Sequence, residues 1–391
     1  MKSAYNETWL YNLLLLKDAK QWQRHKLISE EQLASISAAH SSPFFHPNVI
    51  IRILLFLASL IALSGVTGLL TIFVLSISDE TGQVISVMSI LYGIAAFIFL
   101  EAIFIRGAKH YKSGVTEALL YHAMAFVLGG MASITDYNVH ITTIGCLIVF
   151  SLSAWRYLDL ISTLGAVGSL VFLLFYELYT MGGIMQQIIP IVFIVLFTPL
   201  YFVIKKQKEK PEAELWLDCL ILVEALMLLI IYAAGNYLVV RELSVNLMDM
   251  QIETGQDIPF ALLFYFLTIA IPILYIYFGL KNKDVVLIRV SLFVLAFSVF
   301  TFKYYFSLGH PEITLTLAGA FLLVVTILLL RYLKTPKHGF TRENILSDKW
   351  RNANLEAFVV SQTLGGNHPT ATSTDGGAGG SSAGGGSTDS F

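Results

Sequence analysis

Charge is scarce in this chain: only 13% of its residues are Asp, Glu, Lys or Arg. A soluble protein carries about 25%, so half that share excludes an ordinary water-facing surface. Cysteine is nearly absent. Cys146 and Cys219 both lie inside apolar runs, which excludes a disulfide framework and leaves them reading as small hydrophobes. Catalytic signatures are missing as well. HExxH, GxSxG and CxxC do not occur, and the nine histidines are scattered without metal-ligand spacing. The sequence therefore points to no metal and no cofactor. A net charge of -2 gives no footing for nucleic acid. No cleavable signal is legible, because the first apolar run opens near Val49 behind a long polar segment.

What is present is length without polarity. The chain is 56% hydrophobic, and a helix needs about 20 apolar residues to cross a bilayer. Ten such stretches fall at roughly 49–76, 84–106, 115–134, 139–155, 158–179, 184–204, 214–235, 259–280, 284–304 and 312–334. The fold class expected is all-α: a polytopic transmembrane bundle of about ten spans in contact with a lipid bilayer.

The basic residues sort by loop. They crowd the N-terminal segment, the even-numbered loops (Arg106, Lys109 and Lys112; Arg156; Lys205, Lys206, Lys208 and Lys210; Lys281 and Lys283) and the C-terminal segment. The odd loops hold only Arg241 and Lys303, beside Asp79, Glu80, Asp136, Glu242, Asp249, Glu253 and Asp257. Basic loops stay cytoplasmic, so both termini are expected in the cytoplasm. The short fourth span is required by that alternation.

Residues 1–48 read as a cytoplasmic helix pair, from Thr8 to Arg24 and from Ser29 onward. Ser29 with Gln32 has capping-box spacing. This pair is a surface for a protein partner or a cap over the bundle. Residues 335–363 read as an amphipathic segment around Trp350, and 364–391 as a disordered tail rich in Gly, Ser and Thr, the alternative surface for a protein partner.

The run Trp22-Gln-Arg-His-Lys-Leu-Ile-Ser-Glu-Glu-Gln32, followed by a short helix and many spans, resembles a bacterial family of predicted membrane proteins that carry a domain of unknown function. The likeness covers about residues 15–70. It implies the bacterial inner membrane and no assigned activity, and it brings no functional residues.

Ionisable groups inside spans are costly and each needs a reason. Glu224 falls ten residues into the seventh span, close to the midplane, and His122 seven residues into the third. Adjacent, the two would titrate near neutral pH and could carry a proton; alternatively they are neutral packing groups. Glu117, Tyr121, Glu101 and Arg289 complete the candidate polar site. Asp159 has the spacing to pair with Arg156 on one helix face. Pro190, Pro199 and Pro272 are expected helix breaks. Gly65 and Gly68, Gly129 and Gly130, and Gly165 and Gly168 are expected close helix contacts. The outer loop, from Val239 to Met250, reads as an amphipathic helix presenting Leu243, Val245, Leu247 and Met248.

Three functions stay open. A permease for a small solute would use Glu224. A scaffold or sensor, not itself an enzyme, would act through its cytoplasmic ends. A membrane enzyme on lipid-linked substrates would need polar groups gathered at one interface.

Overall fold

The computed structural model describes residues 3–77, 81–248 and 257–305, with isolated helical positions between 316 and 331. Among these residues there is no strand, only an isolated bridge from Phe45 to His110. Two short helices come first, α1 (Glu7–Arg24) and α2 (Glu30–Ala39). The long helices follow: α3 (Val49–Ile77), α4 (Thr81–Phe99, continued by a π-helix, Leu100–Gly107), α5 (Val115–Ile134), α6 (Val139–Tyr157), α7 (Leu160–Thr180) and α8 (Ile184–Lys208). A 3-10 turn (Pro211–Trp216) leads into α9 (Leu217–Gly235), then α10 (Tyr237–Asn246), α11 (Ala261–Asn282) and α12 (Val285–Tyr305).

Nine of the described helices, all but α1, α2 and α10, are long and apolar enough to cross a membrane. The chain is thus a polytopic helical bundle suited to a bilayer. The short fourth span is real, as α6. The tenth expected span falls outside the described residues apart from isolated helical positions. The segments 335–363 and 364–391 lie outside them too.

Helix starts follow short polar residues. Asn6, Asn138, Asp159 and Asn236 each accept a hydrogen bond from a backbone N–H of the first turn, which satisfies a donor that the helix cannot. Ser29 and Gln32 form the expected capping box.

Successive helices pack as hairpins: α4 on α5, α6 on α7, α8 on α9 and α11 on α12. α5 and α9 are the central helices. α5 also meets α3 and α6, and α9 also meets α7, α11 and α12. Two large apolar cores result, with a smaller third around Tyr237, Val240, Ile258 and Phe264. One gathers Leu100, Leu119, Ala123 and Tyr157 with Tyr5 and Leu10 of the N-terminal segment. The other gathers Phe197, Met227, Leu228 and Val294. Chain direction puts the N-terminal helices and the basic loops at one end of the bundle, called here the basic end.

The expected glycine contacts need correction. Gly65, Gly68, Gly129 and Gly168 face open space, whereas Gly130 and Gly165 sit against neighbours. Two close approaches lie where α4 meets α5. There a Cβ on Gly93 would strike Val127 and the Ala123 carbonyl, and one on Gly130 would strike Ser86 and Ile90.

The prolines do not break their helices. α8 runs through Pro190 and Pro199, and α11 through Pro272. In α11 the reason is visible. Pro272 lacks the N–H that would bond the Thr268 carbonyl, and Ser298 of α12 donates its hydroxyl to that carbonyl instead, at 2.8 Å.

The outer loop does hold a helix, α10, but its buried face differs from the expected one. Tyr237, Leu238, Val240 and Ser244 turn inward, while Leu243, Val245 and Leu247 are exposed. Asn236 decides this. It is fully buried and donates to the Tyr232 hydroxyl at 2.9 Å and to Thr301 at 3.0 Å, so α10 leaves α9 already pinned to α12.

Candidate functional site

Four polar nests lie toward the basic end. In the first, Arg52 reaches from the opening of α3 to Glu117 in the first turn of α5, at 2.5 Å. Glu117 also accepts from the Gly114 N–H and the Thr116 hydroxyl, both at 2.8 Å. It thus caps its own helix and clamps α3 at once. Gly114 has φ +91, and a Cβ there would run into the Arg52 backbone, so the approach of the two helices requires glycine.

The second nest centres on Glu101 in the π-helical end of α4. Arg156 grips it in a two-pronged pair, Nε at 2.8 Å and Nη2 at 2.7 Å. The Tyr157 hydroxyl donates at 3.2 Å, and Arg106 lies 3.5 Å away. Arg156 therefore pairs with Glu101 and not with Asp159, as its helix spacing had suggested. Asp159 instead caps α7 through the Ser162 N–H and accepts from the Tyr121 hydroxyl at 2.8 Å, which makes the third nest. A cavity of about 10 Å³ lies among these groups, lined by Tyr5, Lys112, Glu117, Tyr157 and Asp159. That is room for about one water molecule.

The fourth nest belongs to the other core. Lys205 and Lys208 stand one turn apart in the last turns of α8. Lys205 donates to Asp284 at 2.7 Å, and Lys208 to Glu224 at 2.5 Å. Glu224 is fully buried. Its second oxygen, Oε1, has no hydrogen-bond partner among the described residues. Asp284 lies outside the spans, at the start of α12. Burial pushes its carboxyl up, but the hydrogen bonds from Lys205 and from the Leu287 N–H outweigh this and hold it below its ordinary value.

Glu224 lies near the middle of the apolar span that runs from Pro211 to Gly235. It sits seven residues past Leu217, about 10 Å along α9, within reach of a lysine extended from the basic end. His122 does not join it. Its ring lies 4.7 Å from that of Phe126 and 5.6 Å from that of Tyr92, on the α4–α5 face, and its Nε2 is buried without a hydrogen bond among the described residues. The structure thus brings Glu101, Glu117 and Tyr121 to one region, Glu224 to another, and leaves His122 among aromatic rings. Arg289 is exposed in the second turn of α12. At the outer end, Glu177 meets His140 at 2.6 Å.

Sequence reasoning missed Lys205, Lys208, Asp284 and Arg52, because residues at helix ends look like ordinary loop charge. One signal was available: Lys205 and Lys208 are three apart at the end of a long apolar run, so they share a face. Among the described residues, no cluster of three His, Cys, Asp or Glu forms that could hold a metal ion. No family model, curated protein or solved structure matches this chain.

Proposed function

We propose that the chain is a permease-like protein of the bacterial inner membrane that handles a small solute, with its basic end and both termini in the cytoplasm. The observation that carries this reading is the Lys208–Glu224 pair. A fully buried carboxylate held by a single lysine, with one oxygen unpartnered among the described residues, is a costly arrangement inside a membrane. Such groups mark ion and substrate pathways more often than they serve packing. In this reading Lys208 is the resident cation of Glu224, displaced when a proton or a cationic solute takes its place. The family resemblance of residues 22–32 agrees with the inner-membrane location.

The test is water access to position 224. Cys146 and Cys219 are replaced by serine, Glu224→Cys is installed, and cells and inverted vesicles are treated with a membrane-impermeant maleimide. Labelling from either side is the expected result. A folded protein unlabelled from both sides, while Lys208→Cys in the same background labels from the basic side, would sink the reading.

One observation favours the scaffold or sensor. Ser3 and Tyr5 are buried in the bundle and α1 touches the 3-10 turn before α9, while no residue of α2 is buried. This arrangement leaves α2 free to bind a partner and tied through α1 to the bundle.

A further inference from the structure

At the basic end, the bundle holds a groove of about 540 Å³ between α6 and α7 on one side and α9 with its preceding 3-10 turn on the other. Sites for small molecules span about 300–1,000 Å³. The lining is mostly apolar, with Ala154, Ala166, Val167, Leu220 and Val223. Trp155 and Trp216 also line it, and the Trp216 indole donates to the Trp155 carbonyl at 2.9 Å, tying the start of α9 to the end of α6. Tryptophan is the residue that prefers the level of lipid headgroups. The groove lies between membrane-spanning helices, beside the lipid-exposed faces of Trp155, Leu152 and Leu164, so an acyl chain is the nearest apolar occupant.

Its polar features define the headgroup. Glu212 is the one charged residue of the lining, with Gln207 nearby. An apolar slot with an exposed carboxylate in its lining matches an acyl chain whose headgroup carries a cation that can donate hydrogen bonds. We propose that this groove seats one acyl chain of a phosphatidylethanolamine molecule. The lipid ammonium binds Glu212. Phosphatidylcholine lacks the N–H donors, and phosphatidylglycerol lacks the cation. This site stands on the groove alone and is independent of solute handling at Glu224.

Cys219 lines the same groove and serves as the reporter. In a Cys146→Ser protein, the rate of Cys219 alkylation by N-ethylmaleimide is measured in detergent micelles containing dioleoyl phosphatidylethanolamine, phosphatidylcholine or phosphatidylglycerol. The ethanolamine lipid is expected to slow alkylation at least fivefold more than either of the others. Glu212→Gln, at an exposed surface position, should erase that difference, and Glu212→Asp should keep part of it. Ala166→Phe should fill the slot and slow alkylation with every lipid. Equal slowing by all three lipids, stronger slowing by either of the other two, or a preference that survives Glu212→Gln would overturn the proposal. So would a Cys219 that stays unreactive without lipid yet labels after unfolding, because the groove would then be closed.

Discussion

Lys208 and Glu224 lie sixteen residues apart in sequence and meet inside the bundle. Removing one partner of a buried ion pair leaves the other charge uncompensated and costs about 3–5 kcal/mol, whereas replacing both with apolar residues is often neutral. Lys208→Met should therefore lower the unfolding midpoint in detergent strongly, and adding Glu224→Leu should restore most of the loss. A double variant as unstable as the single one would mean that the pair is not coupled. Asp284 gives a pH prediction. Lys205 and the Leu287 N–H hold its carboxyl below its ordinary value, so its folded value is below its unfolded one, near 3.9. Its stabilisation is full above that value and fades as pH falls through the lower, folded value. Asp284→Asn should be the less stable protein at neutral pH, with midpoints converging on the parent's below about pH 4. A gap that stays constant from pH 7 to 3 would rule out this role.

Two elements carry their own tests. In α11, Ser298 satisfies the carbonyl that Pro272 strands. Ser298→Ala should cost about 1–3 kcal/mol, the price of an unsatisfied buried acceptor. In a Pro272→Ala background the helix supplies its own N–H, so the same change should cost much less. A double-mutant cycle read by thermal unfolding decides this, and equal costs in both backgrounds would refute it. Where α4 meets α5, Gly93→Leu and Gly130→Leu should each destabilise by about 1–3 kcal/mol through overpacking, while Gly68→Leu, facing open space, should be near neutral. Helix positions were legible from apolar runs and caps, since each depends only on local residues. Neighbours were not legible. Glu101 meets Arg156 from fifty-five residues away and Arg52 meets Glu117 from sixty-five. Nothing in a single sequence distinguishes those partners from Asp159 or His122, which were equally plausible by spacing. The glycine contacts failed for the same reason, because a Gly pair shows that backbones can approach without saying that they do.

At the scale of the whole molecule, the hairpin packing fixes which ends of the nine apolar helices among the described residues share a side. Met181, exposed between α7 and α8, and Lys281, exposed near the end of α11, lie at opposite ends. Met181→Cys should label from outside intact cells whose outer membrane has been opened, and Lys281→Cys only in inverted vesicles, each in a background with Cys146 and Cys219 replaced by serine. Labelling of both from one side would break the topology.

The burial of residues 3–5 has a consequence for how the protein is made. The Ala4 N–H bonds the Arg156 carbonyl at 2.8 Å, and the Tyr5 ring packs edge-on against Tyr111 at 5.0 Å. Ribosomes add about 5–20 residues per second, so the seat for this segment is completed roughly 8–30 s after the segment itself is synthesised. Over that interval residues 3–5 wait for their seat while α4, α5 and α6 are made. Their docking waits on Arg156, and a nascent chain halted before that residue has residues 3–5 still exposed to proteases and chaperones.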